Sequence, residues 1–164
     1  MGGFVISSNI AEEVIKDVSG VINASYRNME YGKYCSVFAS TRENLEAVSK
    51  LANFQGKKVL LPISSGDQYF NAVFRDAKEV MLYDINKVSQ YYIKLKIAAL
   101  EYYEDKEDFI EFMLSFREKP AFAFSEIQKF NLESSVFTFW NEIFAHDKIL
   151  YPNISRNAKK RIKF

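Results

Sequence analysis

The chain has 164 residues, 48% of them hydrophobic, enough to bury one core and too short for two ordinary domains. Its 22 basic and 21 acidic residues leave a net charge of +1, so nothing marks it as a dedicated nucleic-acid binder. Cys35 is the only cysteine, which excludes an intrachain disulfide framework and a cysteine zinc cluster, and no apolar run approaches a membrane span. With no signal-peptide pattern in "MGGFVISSNI", the expectation is a soluble, cytoplasmic protein without a transmembrane segment.

The whole chain, 1–164, is expected to form one domain with three regions: helical at 1–55, a strand-helix-strand-helix core at 56–104, and helical at 105–164. In "NIAEEVIKDVSGVI", Ile10, Val14, Ile15 and Val18 line one helical face, and Ser19 and Gly20 supply a stop. "NASYRNMEYGKYCSVF" gathers Tyr26, Tyr31, Tyr34 and Phe38 without a clear period. In "STRENLEAVSKLANF", Ser40 and Glu43 have capping-box spacing, Leu45, Val48, Leu51 and Ala52 form a stripe, and Gln55 and Gly56 close the helix. "KKVLLP" predicts a strand, and Phe70, Val73, Phe74 and Ala77 then fall at helical spacing. "EVMLYDIN" predicts a second strand ending at Asp84. The following helix carries Val88, Tyr91, Tyr92, Leu95, Ala98, Ala99 and Tyr102 on its apolar face.

Beyond it, "EYYEDKEDFIEFM" is dense in acids, at Glu101, Glu104, Asp105, Glu107, Asp108 and Glu111. With no histidine at ligand spacing among them, they read as a solvated face and not as a metal site. "FREKPAFAFS" breaks the helix at Pro120 and suggests a short strand. "LESSVFTFWNEIF" resumes helical spacing at Val136, Phe139 or Trp140, and Ile143, an aromatic stripe of the kind that builds cores. His146 follows as a helix cap or surface residue, Cys35 reads as a packed side chain, and "SRNAKKRIKF" ends the chain with five basic residues and no acid.

Alternating strands and helices with short connections imply a parallel pair, here the opening of a Rossmann-like doubly wound sheet in a helix-rich α/β fold with N-terminal helices. Such sheets bind ligands beyond the carboxyl ends of their strands. Ser64, Ser65, Gly66 and Asp67 lie at one such end, and Asp84, Ile85 and Asn86 at the next. Small residues let a ligand approach the first turn, while an acid ending the second strand can accept from both hydroxyls of a ribose. Gly66 and Asp84 stand 18 apart, near the roughly 20 of dinucleotide units. The single glycine and the carboxylate of Asp67 disfavour a pyrophosphate and favour a phosphate-free, cationic nucleoside such as S-adenosylmethionine. The bland alternative is a plain turn, with Asp67 capping a helix and Asp84 ending a strand. No catalytic nucleophile and base pair can be named, which suits a cofactor whose sulfonium is already activated.

From "NLEAV" to "EDFIEFM", about residues 40–115, the chain resembles the S-adenosylmethionine-dependent transferases related to the betaine-lipid enzymes, which move a 3-amino-3-carboxypropyl group to diacylglycerol. The matching pieces are Ser65, Gly66 and Asp67 after a strand, "DIN" at Asp84, Ile85 and Asn86, and the "LKIAAL" helix around Lys96. The resemblance implies cofactor contacts at residues 64–67 and 84–86 and a small-molecule or lipid acceptor. Three features depart from that family: Ser89 where a glutamine is expected, Pro62 inside the first strand, and a mainly helical remainder where further strands would follow. Two functions follow. One is a transferase moving a methyl or 3-amino-3-carboxypropyl group. The other is a non-catalytic interaction module or remnant whose incomplete sheet is covered by self-association or a partner chain.

Overall fold

The computed structural model of the chain describes residues 40–41 and 43–145. The helix expected at 10–18, the tyrosines at 26, 31 and 34, Cys35, His146 and the basic tail lie outside the described residues. In order, the elements are α1 (Leu45–Ala52), β1 (Lys58–Pro62), α2 (Asp67–Phe74), β2 (Glu79–Tyr83), α3 (Lys87–Tyr102), α4 (Lys106–Glu118), α5 (Pro120–Ile127) and α6 (Ser134–Ala145). The described chain is therefore helix-rich α/β, with a small parallel sheet of two strands.

β1 and β2 pair in parallel from Lys58 opposite Glu79 to Pro62 opposite Tyr83, with α2 as their connection. Pro62 is the last residue of β1, and the ladder continues past it because the Ile63 amide donates to the Tyr83 carbonyl at 2.9 Å. A proline in an internal position would have removed a donor. The two-residue pleat half-buries Val59, Leu61, Val80 and Leu82 and turns the alternate residues outward. Leu60, Met81 and Tyr83 on that outer face are 61%, 51% and 55% exposed.

The main core lies elsewhere. One continuous buried cluster joins α3, α4, α5 and α6, and the sheet contributes no side chain to it. The apolar face predicted for α3 is the face found: Val88, Tyr91, Tyr92, Leu95, Ala98 and Ala99 are buried, while Tyr102 at its end is half exposed. Aromatic rings then fix the packing. Tyr91 stacks on Phe139 with centroids 4.1 Å apart, and Phe112 meets Phe130 edge-on at 4.9 Å. Trp140 meets Phe116 edge-on and donates its indole N–H to the Tyr91 carbonyl.

Local chemistry corrects several sequence expectations. "FREKPAFAFS" holds no strand: Pro120 opens α5 at a first-turn position, where its missing N–H costs nothing. Asn44, not Ser40, caps α1, its side-chain oxygen accepting from the Ala47 amide at 3.1 Å. The stripe expected on α1 is not buried, with Leu51 almost wholly exposed, and the helix ends at Asn53 in a left-handed conformation. Ala77 likewise falls outside α2, bridging antiparallel to Gln55.

Glu126 is a charged group set into the bundle. Tyr103 donates to it at 2.7 Å and Lys129 forms an ion pair with it. Burial pushes its carboxyl upward, but the hydrogen bonds from Lys129 and Tyr103 outweigh this and hold it below the ordinary carboxylate range. A depressed folded pKa means that the stabilisation is present above the unfolded carboxyl's range and disappears as pH falls through the lower folded value. The stability gap between wild type and Glu126→Gln, measured by urea unfolding, should therefore be largest near neutrality and shrink on acidification. In the aromatic core, Trp140→Ala removes a fully buried ring and should destabilise by about 3–5 kcal/mol, read in the same assay.

Candidate functional site

The turn that follows β1 is built from its backbone outward. The Gly66 amide donates to the Ile63 carbonyl at 2.6 Å, closing residues 63–66 into a tight reversal. Two residues in it have positive φ, Ser64 at 47° and Gly66 at 85°. For Ser64 that conformation costs about 1–2 kcal/mol, so something must hold it. The holder is Asp84: its Oδ2 accepts from the Ser64 amide at 3.1 Å and its Oδ1 from the Asn86 amide at 2.8 Å. One carboxylate thus ties the carboxyl ends of both strands together. Asn86, buried, then caps α3 by accepting from the Val88 amide at 3.0 Å.

Beneath the turn lies an ion pair that no pattern of strand ends would reveal. The Lys96 ammonium, on α3, donates to Asp67 Oδ1 at 2.9 Å and to the Ser65 carbonyl at 2.8 Å. The other Asp67 oxygen accepts from Ser65 Oγ at 3.0 Å and from the Thr41 amide. Lys96 also sits over the rings of Tyr92 and Phe70, 5.4 and 5.7 Å from their centroids. Burial lowers the Lys96 pKa, with the neighbouring Asp67 opposing it through charge and hydrogen bond. Tyr92, fully buried alongside, is kept a neutral phenol by burial and then by the charge of Asp67, and its hydroxyl has no hydrogen-bond partner among the described residues.

The seven residues expected at the site are therefore brought to one end of the sheet, but they divide into two sets. Ser65, Gly66 and Asn86 form a buried frame with the half-buried Asp67, and Ser64 and Ile85 are exposed beside the half-buried Asp84, with Ile85 97% exposed. The glycine has a different reason from the one its position suggests. Its φ of 85° strains any L side chain, and a Cβ there would in addition lie 2.5 Å from Ile93 Cδ1 on α3. Lys96 appears in the sequence only as part of the "LKIAAL" helix. Its signal is there nonetheless: a lysine one turn after Tyr92 and just before Ala99, on an apolar stripe, needs a buried acid. The acid at the other end, Asp67, is thereby compensated, and Lys96 is engaged with it and is not offered to a phosphate.

Carboxylate oxygens accept more than one hydrogen bond each, so Asp84 retains acceptor capacity after binding its two amides. An acceptor at the mouth of the sheet, a strained serine beside it and a bare isoleucine next to both suit a polyhydroxylated ligand with a flat apolar part. Among the described residues no group of three or more histidine, cysteine, aspartate or glutamate side chains is arranged to hold a metal ion, and no helix is long and apolar enough to cross a membrane.

Gly66→Ala should cost about 1–3 kcal/mol in urea unfolding, from backbone strain and the clash with Ile93 together. Adding Ile93→Ala should remove the clash component and leave the strain, so the two substitutions combine less than additively.

Comparison of the chain with models of known protein families finds no match, and neither the curated proteins nor the solved structures contain a match to it.

Proposed function

We propose that the chain binds S-adenosylmethionine at the carboxyl ends of β1 and β2 and transfers a methyl or 3-amino-3-carboxypropyl group from it to a small-molecule or lipid acceptor. In this reading the β1-α2-β2 unit is the opening of a Rossmann-like, doubly wound sheet. The observation that carries it is the position of Asp84, held at 3.1 Å from the Ser64 amide beside the turn, where a ribose would find an acceptor for both hydroxyls. Ile85, exposed next to it, offers an apolar surface for a purine. The neutralised Asp67 leaves no surplus cation for a pyrophosphate, which speaks against dinucleotides and nucleoside triphosphates.

When bound, S-adenosylmethionine supplies an electrophilic carbon next to a positively charged sulfur. The chain's own contribution is to bind and orient: Asp84 fixes the ribose, Ile85 the base, and the strained turn the remaining substituent. Nothing in that division requires a nucleophile from the protein.

A second reading is favoured by one observation. Leu60, Met81 and Tyr83 form an exposed apolar row on the outer face of a sheet that has two strands among the described residues. Parallel sheets are ordinarily covered on both faces, so this row suits an interaction module whose sheet is completed by another chain.

Calorimetric titration distinguishes the two. Wild type should bind S-adenosylmethionine saturably and NAD not at all, while Asp84→Ala, shown folded by circular dichroism, should lose at least about tenfold in affinity. Ile85→Ser should weaken binding while leaving stability within about 0.5 kcal/mol, because its side chain is exposed. No binding by folded wild type, with self-association in sedimentation, would favour the module.

A further inference from the structure

We infer that the free edge of β2 is a docking surface for a second copy of the chain, the two β2 strands pairing antiparallel about Met81 into one four-stranded sheet. The inference rests on the reading of the sheet as one completed by another chain, and it names that chain. The direction of the backbone groups decides which edge is open. The Glu79 amide donates to the Lys57 carbonyl, and the Tyr83 carbonyl accepts from the Ile63 amide. Such groups alternate along a strand, so Glu79, Met81 and Tyr83 turn theirs toward β1, while Val80 and Leu82 turn theirs away. By the same alternation Lys58, Leu60 and Pro62 carry the groups on the far side of β1. Pro62 offers no donor there, which closes that edge to a further strand. The β2 edge has no such block, and among the described residues no strand other than β1 pairs with β2.

The side chains select the partner and the register. A two-fold pairing of one strand with its own copy is antiparallel, and the direction of the amides allows only registers that set even-numbered residues against even-numbered ones. Centred on Met81, the pairing sets Val80 against Leu82 twice and Met81 against its counterpart. Glu79 then faces Tyr83, and one residue beyond each end of the strand Lys78 faces Asp84. No like charges meet. A slip of two residues either way would set Glu79 against Met81 or Asp84 against Val80, opposing a carboxylate to an apolar side chain and separating Lys78 from Asp84. Met81 is 51% exposed in the single chain, and its counterpart would cover it. Because Asp84 stands at the mouth of the candidate site, each copy also brings the exposed Lys78 to the rim of the other's site.

The experiment is sedimentation equilibrium of the full chain over a concentration series, with Met81→Lys, Lys78→Glu and Leu60→Lys as variants, each checked for folding by circular dichroism. Wild type should show a monomer–dimer equilibrium. Met81→Lys sets two like charges directly opposite and should weaken the dimer at least about tenfold, and Lys78→Glu, which opposes an acid to Asp84, by about three- to fivefold. Leu60→Lys, on the same face but on β1, should change it less than about twofold. Disulfide trapping in a Cys35→Ser background tests the register. Residues opposite each other in a non-hydrogen-bonded antiparallel pair have Cα atoms about 4.5 Å apart, within disulfide range, so Met81→Cys should be trapped as a dimer on air oxidation and Leu60→Cys should not. If Met81→Lys fails to fold, trapping of Met81→Cys decides the matter. A dimer that survives Met81→Lys and is trapped through Leu60→Cys overturns the inference while the interaction reading stands, with the second copy lying on the sheet face. A wild type that is monomeric at every concentration, with no trapping of Met81→Cys, also overturns it, and the edge then belongs to another segment of the chain or to a different protein. The interaction reading itself falls only if that monomer binds S-adenosylmethionine in the calorimetric titration.

Discussion

The contact on which the described structure depends is the ion pair between Lys96 and Asp67. Lys96 belongs to α3, the helix that runs through the aromatic core, and Asp67 opens α2, the connection between the two strands. Their bond joins a well-packed helical bundle to a small sheet that contributes nothing to that core. The same lysine holds the Ser65 carbonyl, and the same aspartate holds the Thr41 amide, so one buried charge organises the turn and the segment leading into α1. Desolvating such a charge is costly, and the cost is tolerated where each polar atom finds a partner. Here both Asp67 oxygens are bonded, Oδ1 to Lys96 on α3 and Oδ2 to Ser65 Oγ and the Thr41 amide.

The distribution of apolar side chains explains why a contact of this kind is needed. Phe112, Phe116, Trp140 and Tyr92 are wholly buried, and they belong to the one cluster that joins α3 to α6. The sheet has no comparable support: its inner residues are half-buried and its outer ones exposed. A two-stranded sheet gains stability by packing on something. It leans on α2 and, through Ile93 against Gly66 and Lys96 against Asp67, on α3.

The candidate site is a by-product of this arrangement. Joining the strand ends required Asp84 to accept amides from Ser64 and Asn86, and this leaves its carboxylate at the mouth of the sheet with acceptor capacity to spare. Ser65, Gly66 and Asn86 are buried framework, Asp67 and Asp84 are half-buried, and Ser64 and Ile85 are exposed. That division gives each residue a physical reason whether or not a ligand is present, and it concentrates functional tests on Ser64, Asp84 and Ile85.

Sequence alone determined the elements whose signal is local. The apolar periods of α3 and α6, the two short strands, the junction between β1 and α2, and the meeting of residues 64–67 with 84–86 were all legible, because side-chain spacing reports directly on helix and strand. Local reading failed where a neighbouring element overrode it. Pro120 does break the helix, ending α4 and opening α5, but the strand expected after it is helix instead, and no residue of the stripe on α1 is fully buried. Tertiary structure alone decided three matters: that the main core is helical and excludes the sheet, that Ile93 packs where a Cβ of residue 66 would lie, and that Asp67 is paired with a lysine 29 residues away. The reason is the same in each case. Burial and charge compensation depend on which surfaces meet across the chain, and spacing along the chain does not encode that meeting.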